Sequence, residues 1–278
     1  MVDIGFSLQA SYDLPWEQVI GCLHDAGFGA VSPVWSPELP LELLSTSVQA
    51  HNMVIQSLHA PHGGLAYLWD SKVPGSAQAE QRIIGYIDAC ARFQIPLAVM
   101  HGWQGLDYTF PAEPLDFSVF DRIVAHAEKK QVAIAFENLE GPEFLAALLD
   151  RYSGTHVGFC WDSGHERCYT PGWDFLHHYG DRLIMTHLND NFGVTDPSGR
   201  LQGTDDLHLL LFDGNTDWNH TVQRLKQARP QEILNFEFKI RPKGDRCKMD
   251  LYSKLPLEQY IARACTGAKR IAYHYFED

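Results

Sequence analysis

The chain has 278 residues, 45% hydrophobic and 21% charged, an ordinary globular composition that can bury a large core without disulfides. A formal net charge of −13 argues against a broadly basic nucleic-acid surface, because phosphate binding takes clustered Lys and Arg. Six cysteines, Cys22, Cys90, Cys160, Cys168, Cys247 and Cys265, form no C-x-x-C pair, so they read as reduced thiols and not as a zinc ribbon or redox motif.

In chain order, eight short apolar runs lie near Ile4, Ala30, Ile55, Val99, Ile134, Phe159, Ile184 and Leu234, with helical patterns between them. Asp13 can cap a first helix that holds Pro15 in its first turn, spaces Val19, Ile20 and Leu23 along one face, and stops at Gly27. Further helices are predicted over 39–50, 77–93, 117–130 and 142–152, a brief one over 173–179, one capped by Asp217 through 228, and a last one opened by Pro256.

Strands alternating with helices imply parallel pairing, and continuous apolar runs suit strands buried on both faces. Eight such units predict a closed (β/α)8 TIM barrel, a single domain over 1–278. An open doubly wound sheet would carry a Gly-rich turn after its first strand, where this chain has Ser7-Leu8-Gln9-Ala10. Loops over 60–76, 188–216 and 238–255 are long enough to predict a functional role. Met1 leads directly into a strand-like segment and no apolar run approaches the roughly 20 residues that span a bilayer, so the expected location is the cytoplasm, with no membrane partner.

In such a barrel, the residues that end the strands converge on one mouth. Here four consecutive runs end in Glu137, Asp162, His187 and Glu237. Three carboxylates facing one apolar mouth would repel one another unless a cation neutralised them. Mostly oxygen with one nitrogen suits one divalent cation, Mn²⁺, Mg²⁺ or Co²⁺, and Zn²⁺ also accepts these ligands. His59 and His101 end earlier strands and face the same mouth. His165, three residues past Asp162 in a turn containing Gly164, can reach a substrate, and Asp206 and His208 offer a further acid and imidazole. Trp35, Tyr67, Trp69, Trp103, Trp173 and Phe192 supply aromatic faces that suit a sugar ring. Lys72, Arg167 and Arg200 are scattered, whereas the last loop gathers Lys239, Arg241, Lys243, Arg246, Lys248 and Lys254, which could take a phosphate or carboxylate on the substrate.

The motifs His59-Ala60-Pro61, Phe136-Glu137-Asn138, Trp161-Asp162-Ser163-Gly164-His165, His187-Leu188-Asn189-Asp190, Asp206-Leu207-His208 and Glu237 together resemble the xylose-isomerase-like TIM-barrel superfamily, which joins sugar isomerases and epimerases with endonuclease IV. The ketose 3-epimerase branch, represented by D-tagatose 3-epimerase, implies that Glu137, Asp162, His187 and Glu237 hold one divalent cation chelating a substrate carbonyl and its neighbouring hydroxyl. In that branch the two glutamates also move protons through an enediolate, and His165 contacts substrate oxygen. That branch carries an arginine six residues after the metal histidine, where this chain has Gly193; Lys239 or Arg241 could substitute. His59, His101, His208, Asp206, Trp103 and Lys239 are the remaining candidates for substrate contact.

Endonuclease IV implies a rival reading. Residues matching His59, His101, Glu137, Asp162, His165, His187, Asp206, His208 and Glu237 form its three-zinc site for phosphodiester cleavage, and all nine are present. Sparse basic residues on most mouth loops disfavour a nucleic-acid partner, so a small sugar or polyol is the expected substrate. A metal-dependent lyase or dehydratase on a cyclic polyol uses the same logic. The resemblance also implies a homodimer or homotetramer.

Overall fold

The computed structural model describes residues 3–9, 12–154, 156–240 and 251–277. Nine parallel segments form two arcs. One holds β1 (Asp3–Leu8), β2 (Ala30–Pro33), β3 (Val54–Ile55) and β9 (Ile233–Phe236) in the order β3-β2-β1-β9. The other runs β4 (Ser57–His59), β5 (Leu97–His101), β6 (Ala133–Glu137), β7 (Val157–Asp162) and β8 (Leu183–His187) in sequence order. β3 and β4 are one strand position interrupted at Gln56, so the nine segments fill the eight positions read from the sequence. Single bridges, Val34 to His59 and Leu188 to Phe236, join the arcs and close the TIM barrel.

The surrounding helices are α1 (Trp16–Ala26), α2 (Leu41–Ala50), α3 (Ser76–Arg92), α4 (Ser118–Lys130), α5 (Pro142–Arg151), α6 (Ser163–Tyr169), α7 (Phe175–Tyr179), α8 (Trp218–Lys226) and α9 (Leu257–Phe276). Pro15, not Asp13, takes the N-cap position of α1, and Gly27 ends that helix in the left-handed conformation its missing Cβ permits. Asp217 caps α8 as expected, its carboxylate accepting from His220 N. Among the described residues no helix is long and apolar enough to cross a membrane, and the five cysteines they contain are free thiols.

Phe6, Met100, Phe136, Phe159 and Trp161 are buried in the main core cluster. Burying such a side chain contributes on the order of 1.5–3 kcal/mol. Val99, Ala135, Cys160 and Met185, on β5–β8, form a separate apolar plug. The strands opposite contribute Ser7, Ser32, Gln56, Ser57 and Asn235, all buried.

The loop after β4 is partly ordered by a 3-10 turn, Leu65–Trp69, whose Trp69 indole donates to Gly102 O. Asp190 organises the loop after β8. It bridges Leu209, and its carboxylate accepts from Asn191 N, Phe212 N, Thr216 N and Oγ1, and Trp218 Nε1.

Candidate metal centre

Strand register places His101 beside Glu137 and Asp162 beside His187. His187 Nδ1 lies 3.0 Å from Glu137 Oε1 and 2.8 Å from Glu237 Oε2, while His59 Nε2 lies 3.1 Å from Glu137 Oε2. Glu137, Asp162, His187 and Glu237 each offer one ligand atom within 4.8 Å of the others. Two further groups, His59 with Glu137 and His187, and Asp162 with His165 and His208, meet the same condition and share members with the first. All nine residues of the endonuclease IV pattern are buried at this rim or intermediate in exposure.

Backbone carbonyls aim three of the imidazoles. His59 Nδ1 donates to Ala60 O, His165 Nδ1 to Asn138 O and His208 Nδ1 to Glu237 O, at 2.8, 3.0 and 3.0 Å. A carbonyl can only accept, so Nδ1 of each ring carries a proton and Nε2 is turned inward. The inward neighbours are carboxylates: Asp206 Oδ1 lies 3.6 Å from His165 Nε2 and 2.7 Å from His208 Nε2. An imidazole nitrogen this close to a carboxylate calls for a positive charge, carried by the ring or held between the two groups. His208 is held in the left-handed region at φ 48, a strained conformation for a non-glycine residue.

Asp162 is positioned from three sides. Its backbone N–H donates to Asn138 Oδ1 and its carbonyl accepts from Asn138 Nδ2, at 2.8 and 2.9 Å. Asn189 Nδ2 reaches both carboxylate oxygens. Asp162 Oδ1 also accepts from His165 N at 2.7 Å, capping α6, so the expected tight turn after Asp162 is the first turn of a helix. Gly164 permits this packing, since a Cβ there would stand 2.0 Å from Asn189 Oδ1. Asn138 and Asn189 stand in the sequence motifs, but their role in holding Asp162 is visible only in the fold.

Glu137 Oε1, His187 Nδ1, Glu237 Oε2, His208 Nε2 and His101 Nδ1 are buried and make no hydrogen bond. Each such group costs about 1–3 kcal/mol in a folded protein. Burial opposes ionisation throughout the rim, yet His187 with His101 holds Glu137, and His187 with His208 holds Glu237, well below the usual carboxylate range. Burial raises Asp162. Against the same burial, Asp162, Asp206 and Glu137 push the His165 imidazolium up to about 10. Convergent orphan atoms and an oxygen-rich donor set fit a divalent cation.

A cavity of about 280 Å³ opens over this centre. His59, His101, Glu137, His165, Asp206 and Glu237 line it from the metal side, while His62, Gln104, Leu139, Glu140, Tyr169 and Lys239 complete the wall. Asp162, His187 and His208 do not line the cavity, so His208 belongs to the donor groups and not to the substrate wall. Trp103 is also absent from the wall, because its ring lies flat on Phe144, 4.5 Å between centroids, and its indole donates to Gly105 O. The other aromatics proposed for a sugar ring are likewise elsewhere; Trp69, for example, is core. Lys239 reaches the pocket, 3.9 Å from Glu237 Oε1.

At Gly193, the backbone N–H donates to Asn191 Oδ1, and the Arg167 guanidinium lies 3.7 Å from where a Cβ would stand. Arg241, Lys243, Arg246 and Lys248 lie outside the described residues. His62, Gln104, Glu140 and Tyr169 were missed as wall residues; only the spacing of His62 from His59 hinted at one of them. His62 stacks on His101, 5.7 Å between centroids, and burial together with His59 lowers its pKa to about 4. Two side-chain hydrogen bonds tie the outer wall to the segment after β6: Gly105 N donates to Glu140 Oε2 and Tyr108 OH to Glu143 Oε2.

The closed barrel and its carboxylate and imidazole rim define a TIM-barrel protein whose chemistry is gathered at the carboxyl ends of the strands. The family model of the xylose isomerase-like TIM barrel matches residues 21–260, and the chain belongs to that family. The protein y4fM of Sinorhizobium fredii is 37% identical over 166 residues, 54% of this chain and 50% of y4fM. The chain spans about half the length of the curated relatives it matches. Among solved structures, the IolI protein with a bound zinc atom superposes with a TM-score of 0.77 at 18% identity, covering 98% of this chain and 99% of that one. D-allulose 3-epimerase from Methylomonas sp. gives 0.71 at 16% identity, covering 98% and 99%. At these identities the likeness is one of fold.

Proposed function

We propose that the chain is a divalent-metal-dependent isomerase or epimerase of a small sugar, ketose or polyol. The observation that carries this reading is the convergence of Glu137 Oε1, His187 Nδ1 and Glu237 Oε2, buried and without hydrogen bonds, beneath a pocket of monosaccharide scale. Glu137, Asp162, His187 and Glu237 would hold the cation, which when bound polarises a carbonyl and acidifies the neighbouring C–H. Glu237, whose side chain is 16% exposed, and Glu137, fully buried, differ in access to the pocket. Both border it, and we assign them the removal and return of the proton through an enediolate of the substrate. His165 presents Nε2 to a substrate oxygen, and Lys239 supplies the nearby positive charge in place of the arginine absent at 193. His59 and His101 support the floor of the pocket.

The pocket's own charge favours an uncharged substrate. Among the described residues, Glu137, Glu140, Asp206 and Glu237 border the cavity against a single lysine, with Asp162 buried below. One divalent cation leaves this set negative, which opposes a phosphate ester. A multi-zinc phosphodiesterase is the second reading, favoured by the two additional donor groups around His59 and around His165 with His208.

Elemental analysis of protein purified without chelators, followed by anomalous diffraction, separates the two. One ion on Glu137, Asp162, His187 and Glu237 is the expected result. Two or three zinc ions that also engage His59, His101, Asp206 and His208 would overturn it in favour of phosphodiester chemistry.

A further inference from the structure

The polar half of the barrel interior contains groups that the proposed chemistry does not use. Ser57 and Asn235 are 0% exposed, Ser32 is 2% and Gln56 is 9%, and Ser32 Oγ, Ser57 Oγ, Gln56 Oε1 and Asn235 Oδ1 make no hydrogen bond. Four such atoms in one region of a (β/α)8 interior, a place normally filled by branched apolar side chains, are costly unless something serves them.

They lie together. Gly5 pairs with Asn235 on one side and with Ala30 on the other, and Ser7 pairs with Ser32 two residues further along the strands. Asn235 Nδ2 donates to Ser7 Oγ at 2.7 Å. A Cβ on Gly5 would meet Asn235 Oδ1 at 2.7 Å and Gln56 Oε1 at 3.0 Å, so the two amide oxygens close in on the same side of the glycine and lie near each other. Two acceptors this close together require a donor between them. Gln56 also lines a cavity of about 260 Å³ at the amino-terminal end of the barrel, beside Gln231 and Ile233, which gives this niche an entrance remote from the substrate mouth.

We infer that the interior bounded by Gly5, Ser32, Gln56, Ser57 and Asn235 is a binding site for a small cluster of ordered water molecules, entered past Gln56. Water matches the set because it donates to the two amide oxygens and also accepts from the two serine hydroxyls. A metal cation would serve the amide oxygens and leave the hydroxyl protons without acceptors. Rotating the Asn235 amide by half a turn would bring its NH2 toward Gln56 Oε1, but it would give Ser32 and Ser57 no partner, so the amide assignment alone does not resolve the cluster. The water site lies below the rung that carries Ser7, and thus on the side of the metal centre away from the substrate pocket.

Two measurements on the full, metal-loaded chain test the inference. A high-resolution crystal structure is expected to show ordered waters bridging Gln56 Oε1 to Asn235 Oδ1 and reaching Ser32 Oγ and Ser57 Oγ. Direct pairing of the two amides with no density between them overturns it. Ser32→Ala and Ser57→Ala, both small enough to preserve the fold, read the same question by opposite signs. Loss of a hydrogen-bonded hydroxyl lowers Tm by about 2–4 °C in a protein of this size. Removal of a hydroxyl from a dry core leaves Tm unchanged or raises it, and either result overturns the inference.

Discussion

Asp162 and Asp190 are both fully buried acids on neighbouring segments, and their surroundings could hardly differ more. Asp190 spends its carboxylate on protein donors: three backbone N–H groups, a threonine hydroxyl and an indole surround it. Asp162 accepts from Asn189 and His165 N but sits among imidazoles, and its companions Glu137 and Glu237 each keep a buried oxygen without a hydrogen bond. A buried acid whose lone pairs are filled by the protein is part of the scaffold. A set that buries carboxylate oxygens without hydrogen bonds is arranged for something the protein donors do not provide. Adjacent residues make the same division: Asn189 supports the carboxylate and imidazole rim and Asp190 supports the loop.

Substitutions can break this contrast. Glu237→Gln should remove the larger part of turnover, a loss on the order of 10²–10⁴-fold for a group that moves a proton in the transition state, with Tm and circular dichroism close to those of the parent chain. Assays on a panel of ketoses and polyols check it, and full activity would falsify the role given to Glu237. Asp190→Ala should act in the opposite sense. Stripping five hydrogen bonds from buried donors should cost about 3–5 kcal/mol of stability, read as a large drop in urea midpoint, while the metal bound per folded chain stays the same. If instead Asp190→Ala lost metal with its stability intact, the distinction between the two acids would fail. The smallest effect sharpens the comparison: Asn189→Ala removes the amide holding both oxygens of Asp162, and metal affinity should fall by about 10–100-fold in a competition titration, with the loop after β8 still in place.

Much of this architecture could be read from the chain before its coordinates. Apolar runs buried on both faces announced eight strand positions, and the strand-end rule turned Glu137, Asp162, His187 and Glu237 into one rim. The interruption at Gln56 was hidden because a two-residue strand, a polar residue and a three-residue strand look like one run around Ile55. α6 was hidden because its cap is also a proposed metal ligand, and seven residues give little periodicity to read. Trp103 was misplaced for a different reason: sequence position puts it at the mouth, but only packing shows that its ring rests on Phe144 instead of facing the cavity. His62, Gln104, Glu140 and Tyr169 come together from four separate segments, and no local spacing encodes that meeting.

The outer wall carries a consequence for how such a protein can change. Gln104 and Glu140 are anchored through Gly105 and Glu140 and through Tyr108 and Glu143, and neither tie involves a member of the donor groups at the rim. Gln104 therefore stands on a stretch, 102–117, that carries none of the donor groups, whereas His62, Glu140, Tyr169 and Lys239 follow closely on His59, Glu137, His165 and Glu237. A lineage, or an engineer building a library across residues 102–117, can alter that part of the wall while the centre below is left undisturbed.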